Sequence, residues 1–154
     1  FTFHFAKNAD PVFSNFLLVS DWTHDMIYQL ALDANDIDVQ AIDIKQILDP
    51  SGIAYDYTRK MMIWGSSTEQ KIYTVSLDEL SETVLFPTGV RYSVYPDRLA
   101  IDFSTGNIYY TSVSVNESAN ARNGFIGVLS VHGHHKQLVS GFQKLRAIVL
   151  HPAK

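Results

Sequence analysis

The chain has 154 residues, of which 46% are hydrophobic and 18% charged, and its formal net charge is −4. This length fits one domain with a buried core. Lys and Arg are scattered singly, so the sequence offers no basic surface for nucleic acid or acidic lipid. Cysteine is absent, which excludes disulfides and thiolate metal sites. No apolar run approaches the roughly 20 residues that a membrane-inserting helix needs.

Short strands are predicted along almost the whole chain. Apolar residues form short runs, rich in Val, Ile, Tyr, Phe and Thr, between polar turn signals, whereas helical spacing is nowhere sustained. In chain order the predicted strands are Phe16–Asp21, Met26–Leu32, Val39–Ile44, Gly52–Tyr57, Lys60–Ser66, Lys71–Leu77, Glu82–Phe86, Leu99–Phe103, Asn107–Val113, Phe125–Val131, Lys136–Val139 and Arg146–Leu150. Residues 1–15 are predicted to form an N-terminal arm or an extra strand. We therefore predict an all-β protein.

Two segments of the chain repeat each other without a gap. PSGIAYDYTRKMMIWGSS, which starts at residue 50, aligns with PDRLAIDFSTGNIYYTSV, which starts at residue 96. Like residues coincide in the pairs Asp56 and Asp102, Trp64 and Tyr110, and Ser66 and Ser112. A period of 46 to 49 residues that holds four short strands is typical of a β-propeller blade. Such a blade cannot cover both of its faces alone, so neighbouring blades must stack.

The two ends of the repeat are incomplete. The first unit lacks an opening strand and starts with the second, because LLVSD aligns with IWGS and YYTS. A further opening strand follows the last unit in LRAIVLHP, where Ile148 takes the place of Ile53 and His151 that of Asp56. The predicted blade units cover about 16–44, 50–87 and 96–141 within a propeller portion of 16–154, and the orphan strand covers 146–150.

At these residues the chain resembles the YWTD propeller repeats of the low-density lipoprotein receptor family. PSGIAYD and PDRLAID match the family's opening-strand pattern P-x-G-I-A-x-D, and IWGS and YYTS are degenerate versions of its Tyr-Trp-Thr-Asp motif. The last Asp of that motif survives only at Asp21, while Ser66 and Ser112 replace it elsewhere. The resemblance implies a six-bladed propeller, of which this chain supplies three four-stranded blades.

Completion of the ring can be predicted in two ways. In the family the last strand of a chain closes the first blade, whereas in a half propeller residues 146–150 reach only the first blade of a partner. We therefore predict a homodimer in which two chains exchange this strand, because closure removes unpaired sheet edges. The alternative is that the 154 residues are half of a longer chain.

The repeated residues have predicted structural roles. The resemblance implies that Asp56 and Asp102 hydrogen-bond neighbouring strands, since a buried carboxylate must be paired. Trp64, Tyr109 and Tyr110 are expected to pack between blades.

Neither a metal site nor catalysis is expected. His132, His134 and His135 form the one cluster with metal-binding side chains, yet it falls on a turn, where solvent exposure or a pH-sensitive contact explains it as well. DANDI, from Asp33, begins like a calcium loop but has Ile37 where a ligand oxygen is needed. The common catalytic and nucleotide-binding motifs are missing. We predict that the protein is not an enzyme and needs no cofactor.

Two polar connections are the predicted ligand-binding regions, since loops at the faces of a propeller carry its contacts. The segment from Gly89 to Arg98 offers the Tyr and Arg side chains typical of binding surfaces, Arg91, Tyr92, Tyr95 and Arg98. The segment from Ser112 to Gly124 is predicted to be a long loop that offers Asn116, Asn120, Arg122 and Asn123. Asn116 also starts the only N-x-S/T sequon and is a candidate glycosylation site.

The sequence therefore favours a non-enzymatic, extracellular recognition module. A secreted carbohydrate-binding protein is the first expectation, because a dimer with two identical faces would bind weak sugar sites bivalently. The alternative is a fragment of a lipoprotein-receptor-like propeller that binds a protein ligand.

Overall fold

The computed structural model describes residues 15–32, 39–44, 47–77, 82–85, 94–116, 121–143, 145 and 147–151. Within these ranges the chain forms strands and turns and no helix, so the prediction of an all-β protein is confirmed. The strands are β1 (Phe16–Asp21), β2 (Met26–Ala31), β3 (Val39–Ala41), β4 (Pro50–Asp56), β5 (Met61–Ser66), β6 (Lys71–Ser76), β7 (Glu82–Leu85), β8 (Tyr95–Ile101), β9 (Ile108–Asn116), β10 (Ala121–Leu129) and β11 (His135–Phe142). The predicted arm 1–15 lies outside the described residues except for Asn15.

The strands form three antiparallel sheets in which each strand pairs with its neighbours in sequence. Blade 1 contains β1, β2 and β3, blade 2 contains β4 to β7, and blade 3 contains β8 to β11. Among the described residues blade 1 has three strands. The fold is a β-propeller, and the described chain supplies three of its blades.

Two apolar layers hold the blades together. Ile27, Met62, Trp64, Tyr73 and Val75 lie in the layer between blades 1 and 2. The Trp64 ring stacks on Tyr73 with a centroid distance of 5.0 Å.

A second apolar layer lies between blades 2 and 3, where Tyr110 meets the edge of Phe125 at 6.1 Å. Trp64 and Tyr110 therefore pack between blades as predicted, while Tyr109 is half-buried.

The repeated aspartates fold their own turns rather than bridging strands. Asp56 accepts hydrogen bonds from the Thr58 hydroxyl (2.5 Å), the Arg59 guanidinium (2.7 Å) and the two backbone N–H groups of these residues. Asp102 accepts hydrogen bonds from the Ser104 and Thr105 hydroxyls in the same way. The prediction that these two aspartates hydrogen-bond neighbouring strands is therefore wrong. An Asp that precedes a tight turn lies closest to the donors of that turn.

The longest predicted loop is mostly strand. β9 and β10 run side by side up to the pair Asn116 and Ala121, so the polar stretch between residues 112 and 124 is a long hairpin. Val113 and Val115 alternate with serine, which is typical of a strand. The polar composition of the segment led instead to the prediction of a loop.

The described residues of the predicted orphan strand 146–150 form no strand in the single chain. Residues 147–150 have no regular structure, and Val149 is 89% exposed. An extended segment forms a strand only when the edge of another strand supplies hydrogen bonds. In the described part of the chain, no strand edge pairs with residues 147–150.

Candidate functional site

A polar cleft of about 530 Å³ opens where the three blades meet. Its walls come from the end of β1, the starts of β4 and β8, and the turn after β5, which all lie at the same end of the blades. We call it the three-blade cleft; its lining residues are Ser20, Trp22, Asp49, Pro50, Ser51, Ser67, Asp97 and Arg98.

Serine hydroxyls tie the walls of the cleft together. The Ser51 hydroxyl lies 2.6 Å from the carbonyl oxygen of Pro96 and 3.1 Å from that of Gly65. Ser67 donates to the same Pro96 carbonyl at 3.0 Å, and Ser20 donates to the Ser51 carbonyl at 3.2 Å. These bonds connect all three blades, so the walls of the cleft are fixed relative to one another.

Asp49 is held in place by both its backbone and its side chain. Its N–H donates to a carboxylate oxygen of Asp25 at 2.6 Å, and its own carboxylate accepts from the Thr68 hydroxyl at 2.9 Å and the Thr68 N–H at 3.1 Å. Its φ of 47° is one that Asp tolerates better than most residues. Asp49 therefore presents a positioned negative charge at the edge of the cleft.

The exposed side chains of the cleft are an aromatic ring and an ion pair. Trp22 is 69% exposed. The Arg98 guanidinium lies 2.5 Å from the carboxylate of Asp97, and both of these side chains are substantially exposed. An exposed Trp supplies a large apolar surface, and an exposed Arg binds carboxylates or stacks on aromatic rings. The cleft can therefore hold an amphipathic group that carries hydrogen-bonding or charged substituents.

The structure brings part of the predicted site together. Arg98 lies in the cleft, whereas Tyr95 is half-buried at the start of β8 and donates its N–H to the Ser112 hydroxyl at 2.8 Å. Arg91, Tyr92 and Asn120 lie outside the described residues.

The remaining predicted residues belong to the long hairpin. Asn116 ends β9, while Arg122 and Asn123 lie in β10, and Asn123 is exposed. Because Val113 pairs with Tyr95, the first residue of β8, the hairpin extends beyond β8 at the end of the blade where the cleft opens. Arg98 and the long hairpin thus lie at the same end of blade 3.

Most of the cleft was not predicted from the sequence. Trp22 comes from blade 1, Asp49, Ser51 and Ser67 come from blade 2, and Asp97 comes from blade 3, so the complete set meets only through the stacking of blades. The one available signal was position, since these residues lie at the ends of predicted strands, where propellers carry their loops.

The histidine cluster does not form a metal site within the described residues, among which no three His, Asp or Glu side chains come together. His132 and His134 are exposed. The His135 ring lies 5.8 Å from that of Tyr110, and burial lowers the pKa of His135 and raises the pKa of Tyr110.

No family model and no curated protein matches the chain. Among solved structures 51 chains match. One of them is a crystal structure of a nidogen/laminin complex, with a TM-score of 0.54 and 22% identity over 80% of this chain. The match covers 47% of that chain, so this protein spans about half the length of its structural neighbour. The similarity supports the propeller fold. None of the described residues belongs to a helix long and apolar enough to cross a membrane.

Proposed function

We propose that this chain is a non-enzymatic recognition module of the YWTD propeller type, which binds a protein ligand outside the cell at the three-blade cleft. The observation that carries the proposal is the exposed Trp22 beside the Asp97–Arg98 ion pair, on walls that inter-blade hydrogen bonds hold fixed. Tryptophan and arginine supply much of the binding energy in protein interfaces. The similarity to a propeller in a nidogen/laminin complex favours a protein ligand over a glycan.

A carbohydrate ligand is the second candidate function, and Trp22 favours it independently. Sugars stack on exposed aromatic rings, and the carboxylates of Asp49 and Asp97 with the neighbouring serines would accept or donate hydrogen bonds to hydroxyl groups. A glycan on Asn116 would lie at the end of β9 on the same face and would border either ligand.

The experiment measures binding of the 154-residue chain to immobilised laminin and to a glycan array. We expect laminin binding that Trp22→Ala and Arg98→Ala each weaken at least about tenfold, the loss typical of a contact worth above 1 kcal/mol. The matched control is Phe103→Ala, which removes an exposed aromatic ring that also follows an Asp but lines no part of the cleft.

The two candidates give different results. Glycan binding that is lost in Trp22→Ala, without laminin binding, would replace the protein ligand by a sugar. Binding that is equally weakened by Phe103→Ala, or unaffected by both cleft substitutions, would contradict the assignment of the cleft.

We further propose that the propeller is completed to six blades by a second copy of the chain, through exchange of residues 146–150. Stacked blades need cover on both faces, and each copy supplies three.

A further inference from the structure

Among the described residues the first strand of blade 1 has one unpaired edge. Within these residues β1 pairs only with β2, whereas its counterpart β5 pairs with β4 on one side and β6 on the other. Two details identify β1 with β5. Asp21 and Ser66 each end their strand and accept a hydrogen bond at 3.2 Å from the N–H three residues later.

The neighbouring residues Ser20 and Gly65 confirm this equivalence. Ser20 bonds to Ser51 at the start of β4, and Gly65 lies directly against Pro96 at the start of β8. In the part of the chain that the structure describes, blade 1 therefore has no strand where blade 2 has β4.

The exposed side chains of β1 show that, within the described residues, blade 1 also lacks a preceding blade to pack against. Met62 and Trp64 of β5, like Ile108 and Tyr110 of β9, are fully buried against the preceding blade. The corresponding side chains in β1 are Leu17 and Val19, which are 50% and 43% exposed. Apolar residues at the same repeat position are thus uncovered only in blade 1.

An apolar groove accompanies the open edge. It has a volume of about 390 Å³ and lies between β1 and β4, with Phe16, Leu18, Ile53, Ala54 and Tyr55 among its lining residues. In the next blade pair the corresponding space is filled, since β4 itself packs against β8, with Gly52 close to the backbone of Asp97 and Arg98. The groove therefore has the position and the apolar lining that an opening strand of blade 1 would need.

One opening-strand sequence of the chain forms no strand in its described residues, 145 and 147–151. Residues 145–151 follow the pattern of β4, and Val149 stands in solvent. We infer that the β1 edge and its groove accept residues 145–151 of a second copy of this chain, antiparallel to β1, with Ile148 opposite Val19 and Leu150 opposite Leu17. The inference rests on the proposed completion of the ring and specifies its contact.

The register follows from blade 2. There Ile53 lies opposite Trp64 and Tyr55 opposite Met62. In the repeat, Val19 and Leu17 correspond to Trp64 and Met62. Ile148 and Leu150 correspond to Ile53 and Tyr55, which gives the two pairs above. The same correspondence brings Ala147 to the position of Gly52. An added Cβ on Gly52 would lie 2.4 Å from the Asp97 carbonyl oxygen, so the Cβ of Ala147 presses on the equivalent carbonyl of Ser51, and Ala147→Gly should tighten the contact.

The test uses three valine-to-aspartate variants of the 154-residue chain, measured by light scattering and sedimentation. Val149→Asp removes the donor strand and Val19→Asp blocks the acceptor edge. Val131→Asp is the matched control, because Val131 is 41% exposed on the turn before β11. We expect a dimer for the native chain and for Val131→Asp. Each of the other variants should raise the dissociation constant about a hundredfold or more, because a carboxylate is buried at both copies of the contact.

Mixing supplies the decisive measurement. Donor-defective and acceptor-defective chains together restore one of the two contacts, so a heterodimer should form where neither variant dimerises alone. A native chain that is monomeric at all concentrations, a dimer that survives both substitutions, or a mixture without heterodimer would overturn the inference. A dimer that Ala147→Gly does not tighten would contradict the register. The three-blade cleft lies within one chain, so laminin or glycan binding by the monomeric Val149→Asp chain tests the proposed function separately.

Discussion

Replacing Gly52 with alanine tests the packing of blade 2 on blade 3. The alanine Cβ would lie 2.4 Å from the Asp97 carbonyl oxygen, 2.9 Å from the Arg98 Cα and 3.0 Å from the Asp97 carbonyl carbon. Carbon and oxygen atoms in contact are normally about 3.3 Å or more apart. All three neighbours are backbone atoms of another strand, so no side-chain rotation relieves the overlap and the blades must separate.

The cost can be estimated from that movement. A separation of about 1 Å forfeits a quarter to a half of the dispersion energy of the atoms at the contact, and overpacking of this kind costs about 2 to 3 kcal/mol. For a chain of 154 residues this corresponds to a decrease in Tm of roughly 4 to 12 °C.

The assay is urea unfolding followed by circular dichroism, with Gly65→Ala as the comparison. At Gly65 the nearest atom is the Pro96 side-chain Cβ at 2.9 Å, so we expect a smaller loss there. If Gly52→Ala changes the free energy of unfolding by less than about 0.5 kcal/mol, or less than Gly65→Ala does, the close contact between β4 and β8 is not present in solution.

Two further substitutions test the turn at Asp56 and the buried tryptophan. Burial raises the pKa of Asp56, but hydrogen bonds from Thr58 and Arg59 outweigh it and hold the pKa below its ordinary value of 3.8. Its contribution to stability is therefore present above pH 3.8 and lost as the pH falls through the lowered pKa. Asp56→Asn should cost about 2 kcal/mol at pH 7; a difference in urea midpoint that does not shrink in acid would contradict this. Trp64→Phe leaves Trp22 as the sole tryptophan, so we expect red-shifted fluorescence that iodide quenches readily; a blue-shifted spectrum would place Trp22 in a buried site.

The repeat made most of the fold predictable and little of the site. Strand positions follow from short β-branched runs, so the sheets and the inter-blade packing of Trp64 and Tyr110 could be predicted from the chain. The alignment compares positions within blades, whereas the cleft forms between them. Ser51 and Pro96 meet in space without any pattern that joins them in sequence. The segment 147–150 shows the same limit, since a strand also needs an edge to pair with.

Every strand that the structure describes in the single chain pairs with the strand that precedes or follows it in sequence. Contacts that join near neighbours in sequence cost little loop entropy to close, so such topologies fold quickly. Blades 2 and 3 can therefore assemble as soon as their own segments leave the ribosome, without waiting for distant partners. During synthesis the growing chain exposes one unfinished blade at a time, which shortens the period in which apolar strands are available for aggregation.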